Sequence, residues 1–267
     1  MNLQTVRSAA EQAALRAGEV LRPLFDQPHQ EQIKSNIYDV VTEGDLAAEA
    51  AILPVLKAAF PQFGFVSEEG AAGFSGDGVG AEFLWHIDPI DGTTNFANNI
   101  PFFSISIALA DQALNPLVGV VYMPILGELF SAAQGHGATL NGKPIHVSGT
   151  VDMKRAVMSS GFPTARHTLP EDQNNLKQWR DMLWAVRDLR RFGSAALDLA
   201  YVACGRLDGF WERHIHSWDC LAGICLIQEA GGTVTDYHGV PERALTGAEV
   251  VASNSLLHAG MLDVLHG

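Results

Sequence analysis

Apolar residues recur at helical spacing from the start of the chain. Leu3, Val6, Ala10, Ala13, Ala17, Val20, Leu21 and Leu24 fall on one face, which predicts an amphipathic helix over 2–25, closed by Pro28. Residues 33–34 and 38–42 suit a short hairpin. Thr42-Glu43-Gly44-Asp45 then carries a variant of the capping box, so a second helix should run to about Phe60, kinked or ended early by Pro54. Phe63 to Val66 reads as a short strand ending at Ser67-Glu68-Glu69-Gly70, and the glycine-rich stretch 70–81 as a surface loop close to a site. Phe83 to Ile87 is apolar and aromatic, a strand running into a turn at Asp88-Pro89.

Beyond that turn the period changes to two. Phe103, Ile105, Ile107 and Leu109 alternate with small residues, further strands are expected at 117–123 and 127–133, and Asn141-Gly142 marks a tight hairpin. Consecutive hairpin-linked strands with two helices imply a largely antiparallel sheet with helices on one side. A soft boundary near 149–154 separates halves of about 1–150 and 151–267. The second half should contain a strand at 156–160 and a helix over about 170–187. A further helix opens at Gly193-Ser194-Ala195-Ala196 and runs to about Cys204; a strand at 206–211, a loop at 212–217 and a helix from Trp218-Asp219 to about Ala230 follow.

Of the 267 residues, 47% are hydrophobic and 18% charged, ample material for a sizeable core. The formal charge of −13, with no Lys/Arg block, argues against a phosphate-backbone binding face, so nucleic acid is not an expected partner. Three irregularly spaced cysteines, Cys204, Cys220 and Cys225, make no disulfide framework and point to a reducing cytoplasm. No run reaches membrane-spanning length, and the N-terminus lacks the pattern of a secretion signal.

The candidate chemistry gathers at 85–96. Asp88 and Asp91 end an apolar strand, Gly92 allows close backbone approach, and Thr93 and Thr94 can cap a helix whose first amides suit an anion. Two acids beside an anion site are compatible only with a divalent cation between them, and an oxygen-only donor set favours Mg²⁺. Each element has a plainer reading. Asp-Pro and Asp-Gly form turns, Asp45 is an ordinary first-turn acid, Glu68-Glu69 a solvated turn, and Asp219 an N-cap. The small residues at 193–196 suit tight helix packing as well as ligand access to the backbone. Gly137-x-x-x-x-Gly142-Lys143 imitates a phosphate loop, but Pro144 replaces the Ser/Thr that would hold Mg²⁺. His214-Ile215-His216 offers a zinc half-site against which the acidic cluster argues. Zincin and serine-hydrolase motifs are absent.

Asp88-Pro-Ile-Asp-Gly-Thr-Thr-Asn-Phe96 resembles the signature of the inositol monophosphatase family, Mg²⁺-dependent, lithium-sensitive sugar-phosphate phosphatases. Two residues separate its acids, unlike the Asp-x-Asp of haloacid dehalogenase-type phosphatases. Trp218-Asp-Cys-Leu-Ala-Gly223 with Glu229-Ala-Gly-Gly232, and Lys34 with Asp39, Thr42 and Asp45, match two further family motifs in the family's order. The resemblance implies an α+β fold layered α/β/α/β/α with largely antiparallel sheets, one domain whose halves meet at a metal site. It assigns Glu68, Asp88, the Ile90 carbonyl, Asp91 and Asp219 to two or three Mg²⁺ ions. Asp45, Thr93 and Glu68 would activate the attacking water, the Gly92 and Thr93 amides would hold phosphate, and Gly193, Ser194, Ala195 and Glu212 would contact the substrate. Direct hydrolysis of inositol 1-phosphate, a phosphorylated polyol, is the activity implied. Histidinol phosphate, fructose 1,6-bisphosphate and adenosine 3′,5′-bisphosphate are alternatives within the family, as is a regulatory role with the transcription machinery or in ribosome assembly. A homodimer is also implied.

Overall fold

A computed structural model describes residues 1–34, 36–70, 80–170 and 173–267. Helix α1 spans Leu3–Leu24, opened by Asn2, whose side-chain oxygen accepts the amides of Gln4 and Thr5. Val6, Ala10, Ala13, Ala17 and Leu21 of the predicted stripe are fully buried. The helix ends with Pro23 in its last turn, ahead of Pro28. β1 (Gln32–Ile33) and β2 (Val40–Val41) form the expected hairpin. Helix α2, Glu43–Ala59, contains Pro54 without ending there. Ile52, Leu53 and Leu56 are buried in the same core as α1, and that packing carries the helix past the missing N–H.

The larger sheet orders β3 (Gly64–Ser67), β4 (Phe83–Asp91), β5 (Ser104–Asp111), β6 (Pro116–Met123), β7 (Glu128–Ala133), β8 (Ala138–Leu140) and β9 (Lys143–Pro144) side by side. Neighbours are antiparallel except β3 with β4. Asn141 and Gly142 turn β8 into β9 at φ 50° and 75°, the left-handed pair a two-residue hairpin requires, so the stretch imitating a phosphate loop is a hairpin. The short helix α3 is Thr93–Ala97. The glycine-rich stretch expected as a loop over 70–81 lies, between 71 and 79, outside the described residues.

The second sheet, ordered β11 (Asp188–Arg190), β10 (Val157–Ser160), β12 (Gly209–Arg213), β14 (Glu249–Ser253) and β13 (Thr233–Thr235), is mixed, with β10 parallel to both its neighbours. Its helices are α4 (Leu176–Ala185), α5 (Ala195–Ala203), α6 (Ser217–Glu229), α7 (Pro241–Ala244) and α8 (His258–His266). Three expectations need correcting. The helix expected over 170–187 begins only at Leu176, because Asn175 is left-handed and buried. Its amide donates to Ser160 Oγ and the Gly161 carbonyl, and its oxygen accepts from Trp211 Nε1 and Tyr237. Residues 188–190 then leave as an edge strand. Glu212 and Arg213, expected in a loop, belong to β12, paired with Val250 and Glu249. The larger sheet also carries helices on both faces rather than one.

Alternation explains that arrangement. On β5, Ile105, Ile107 and Leu109 enter the core with α1 and α2, while Ala108 and Ala110 face α5 and α6. The same helix pair covers Phe210, Val250 and Ala252 of the smaller sheet, whose opposite face, with Trp211 and Val251, packs on Met182 of α4 and Met261 and Leu265 of α8. Helix pair, sheet, helix pair, sheet and helix pair thus stack as the α/β/α/β/α order requires. Among the described residues no helix is long and apolar enough to cross a membrane. The three cysteines are free thiols.

Candidate active site

Strand β4 builds the centre. Trp85 and Ile87 enter the α1/α2 core, so His86 and Asp88 project from the opposite face. The strand does not turn at Asp88. It continues to Asp91, pairing Asp88 with Ser106 and Asp91 with Ser104 across an irregularity in register. Pro89, which has no N–H to donate, falls where the ladder is already interrupted. The Asp88 carboxylate accepts the Ile90 amide at 3.0 Å.

β3 runs parallel to β4, and the Glu68 amide donates to the Ile87 carbonyl at 3.1 Å, which brings Glu68 beside Asp88. Asp219 arrives from the first turn of α6, not at its N-cap, with one oxygen accepting the His216 amide at 2.7 Å. Carboxylate oxygens of Glu68, Asp88 and Asp219 lie within 4.8 Å of one another. Burial, reinforced by the charges of Glu68, Asp91 and Asp219, holds the Asp88 proton well above the usual carboxylate range; Asp219 is raised likewise by burial and by Asp91 and Glu68. Lys34 balances the outer edge, with its ammonium 2.8 Å from Glu68 and 2.5 Å from Glu69. Burial opposes its charge, but these two acids outweigh that and raise its pKa.

Asp91 stands apart from that triplet. One of its oxygens accepts Ser194 Oγ at 2.7 Å and the Ala196 amide at 2.6 Å, and the other accepts the Ala195 amide at 3.2 Å. Burial still pushes it up to about 6, against those three hydrogen bonds. Gly92 follows at φ 102°, open only to glycine without strain, and it rather than a threonine is the N-cap of α3. Thr93 instead turns its hydroxyl back, 3.2 Å from Asp45 and 3.1 Å from the Ile90 carbonyl. Asp45 is held from its other side by the amide and hydroxyl of Thr42 at 2.8 and 2.7 Å. Its pKa is pushed up to about 6, mainly by burial, with the Thr42 bonds opposing.

One cavity of about 760 Å³ gathers these groups. Glu68, Asp88, Ile90, Asp91, Gly92, Thr93 and Asp219 line it together with Gly193, Ser194, Ala195 and Glu212, while Asp45 sits behind Thr93 and not on the wall. Glu212 is pushed up to about 8 by burial, with Arg191 opposing. His214 and His216 also border the cavity, but His216 stacks on Trp218 and His214 is left-handed, beyond the end of β12. The one group of three or more ligating side chains found among the described residues is the acidic triplet, without a histidine.

Sequence reasoning overlooked two features. His86 is 2% exposed and meets Ser217 Oγ at 2.9 Å, joining β4 to the first turn of α6. Asp198 also lines the cavity, and its signal was present: it is the one acid in the apolar run of α5.

The oxygen-only donors suit a hard divalent ion, whose charge would offset both the burial and the mutual repulsion that raise Asp88 and Asp219. Comparisons with known proteins bear on the family and the fold. A model of the inositol monophosphatase family matches residues 2–266. The inositol-1-monophosphatase of Synechocystis sp. is 43% identical over 99% of this chain and 90% of its own length. The Nus factor SuhB of Pseudomonas aeruginosa is 38% identical, over 98% and 96%. The solved inositol monophosphatase of Anabaena superposes with a TM-score of 0.87 at 40% identity, over 100% of this chain and 97% of that one. Since the match in sequence and in fold runs from end to end through every element that carries the acids, this chain belongs to the inositol monophosphatase family.

Proposed function

We propose that this phosphomonoesterase of the inositol monophosphatase family hydrolyses inositol 1-phosphate to inositol and phosphate, with Mg²⁺ as cofactor. The observation that carries the reading is the convergence of Glu68, Asp88 and Asp219 on one wall of a cavity large enough for a sugar phosphate. Glu68, Asp88, the Ile90 carbonyl, Asp91 and Asp219 would hold two or three Mg²⁺. Asp91 accepts three hydrogen bonds from Ser194, Ala195 and Ala196, which leaves Oδ1 about one lone pair for an ion. Bound there, the ions supply charge neutralisation for the phosphate and acidify water.

The chain's own groups do the rest. Thr93 Oγ accepts a hydrogen bond from the attacking water while donating to Asp45, so the water's proton moves to Thr93 Oγ as the hydroxyl proton passes to Asp45. Asp45, with a pKa of about 6, is ionised at neutral pH and able to receive it. Glu68 would stand near the attacking water. The Gly92 and Thr93 amides orient the phosphate, and the attack on phosphorus is direct. Glu212 and the backbone from Gly193 to Ala195 hold the polyol.

The relatives' names support the substrate: the Synechocystis protein is an inositol-1-monophosphatase. Histidinol phosphate, fructose 1,6-bisphosphate and adenosine 3′,5′-bisphosphate are the substrates to compare. Phosphate release from these four esters, with and without Mg²⁺ and with added Li⁺, tests the proposal. Mg²⁺-dependent, Li⁺-inhibited release that favours inositol 1-phosphate is the expected result; preference for another ester would reassign the substrate.

A second reading is favoured by the Pseudomonas relative, a Nus factor, over nearly the whole chain. In that reading the chain also binds the transcription machinery. Co-purification that survives Asp91→Asn would support it, and loss of binding with that substitution would argue that only the phosphatase site matters. We further infer a cytoplasmic homodimer, which sedimentation at micromolar concentration would test.

A further inference from the structure

Helix α5 is buried along its whole length, and Asp198, 1% exposed, is its single charged side chain. An acid in such a position is expensive unless something answers it. Here little does. Its Oδ1 is buried without a hydrogen-bond partner, and so is Ser159 Oγ on β10. The Ser159 hydroxyl is near enough to draw the acid's pKa down, but it does not close a hydrogen bond with Oδ1.

The unsatisfied group faces the cavity that also holds Glu212 and Arg191. Glu212, 7% exposed on β12, lies so close over Gly161 that any side chain at 161 would run into its carboxylate. Burial, then the charges of Glu212 and Asp91, keep the proton on Asp198 well above the ordinary range, and burial takes Glu212 to about 8. Near neutral pH Glu212 therefore keeps a proton and offers an O–H donor beside a carbonyl acceptor, next to the unpartnered Oδ1 of Asp198. A ligand bearing many hydroxyls satisfies such groups, and one without hydroxyls leaves them unpaired.

We propose that Asp198, together with Glu212, forms a hydroxyl-reading subsite on the α5 and β12 wall of the cavity, making Asp198 a specificity-determining residue for polyol phosphates. The inference rests on the phosphatase reading and adds to it the residue by which the polyol is told from other esters.

The test compares inositol 1-phosphate with p-nitrophenyl phosphate, an ester without ring hydroxyls, for the Mg²⁺-loaded wild type, Asp198→Ala and Asp198→Asn. Asp198→Ala is expected to lower the preference for the inositol ester about tenfold, the worth of one hydrogen bond, through KM rather than kcat. Asp198→Asn keeps the shape, a donor and an acceptor, and is expected to restore most of that preference. Removing a buried acid whose Oδ1 has no partner should leave the Tm of Asp198→Ala at or above that of wild type. Equal losses on both esters, or an unchanged ratio, would overturn the proposal. If the wild type releases phosphate from neither ester, the phosphatase reading itself falls, and this inference with it.

Discussion

Ser194 gives its hydroxyl proton to Asp91 at 2.7 Å and, with the same oxygen, accepts the Leu197 amide at 3.4 Å. One side chain thus caps α5 and fixes an acid of β4, tying the half of the chain that bears the signature motif to the half that completes the cavity. Ser194→Ala should lose about 1 kcal/mol of stability, the usual worth of a cap, and should slow phosphate release as Asp91 loses a partner. Ser194→Thr should recover both. Urea unfolding and a phosphate assay on the same preparations check this.

Asp91→Asn replaces an acceptor of three hydrogen bonds with a group of which one end is a donor. The fold should survive, while turnover falls by about two orders of magnitude or more, as expected when a preorganised charge is lost from a site. Wild-type turnover at ordinary Mg²⁺ would remove Asp91 from the reaction.

The crowded acids make a pH-dependent prediction for protein stripped of divalent ions. Because the Asp88 pKa is raised in the folded state, that state binds more protons than the unfolded chain above about pH 4, and stability is lost as pH rises through this window. Asp88→Asn cannot ionise. At pH of about 8 without Mg²⁺ it should melt above the wild type, and the gap should close near pH 4. Mg²⁺ should raise the Tm of the wild type and raise that of the variant much less. Differential scanning calorimetry reads all three effects.

His258 gives the opposite slope. It bridges β13 and β14, with its ring nitrogens 2.9 Å from the hydroxyls of Thr235 and Ser253, and burial lowers its pKa. Thr235 spends its proton on the Asp236 carbonyl, so Nε2 of the ring is the donor to Thr235 and Nδ1 the acceptor from Ser253. The unfolded chain takes up the proton first, so this contribution is complete above about pH 6.5 and is lost as pH falls below it. His258→Gln should lack that component, and its Tm should fall less than that of the wild type between about pH 7.5 and pH 5.

Gly119 of β6 lies under the Ala222 carbonyl and Cys225 of α6, where a Cβ would collide with backbone. Gly119→Ala should destabilise the protein by about 1–3 kcal/mol, as overpacked cores do. By lifting α6 it should also weaken Mg²⁺ binding through Asp219. Unfolding midpoints and Mg²⁺ titrations by calorimetry test the pair of effects.

The legible parts of the chain are those whose periodicity faces one core. The α1 stripe, the alternation on β5 and the Asn141-Gly142 turn could be read because local pattern and tertiary burial agree there. The start of α4 could not, since Asn175 is fixed by Ser160, Trp211 and Tyr237, residues distant in sequence. The end of β4 was misjudged for a related reason: Asp-Pro signals a turn locally, yet a bulge against β5 keeps both residues in the strand. At the site, the motifs indicated which acids to watch but not how they divide. Only the fold shows Glu68, Asp88 and Asp219 together, Asp91 occupied by α5, and Asp45 one shell behind Thr93. Asp198 escaped notice because a lone acid in an apolar run has no motif around it.

The three converging acids belong to β3, β4 and α6, and the last of these packs between the two sheets. During synthesis, residues 68 and 88 leave the ribosome long before residue 219, so a nascent chain carries two acids of the triplet without the third. The triplet is incomplete until α6 has been made and inserted. Any metal site built on these three acids is therefore completed only when α6 packs against β4.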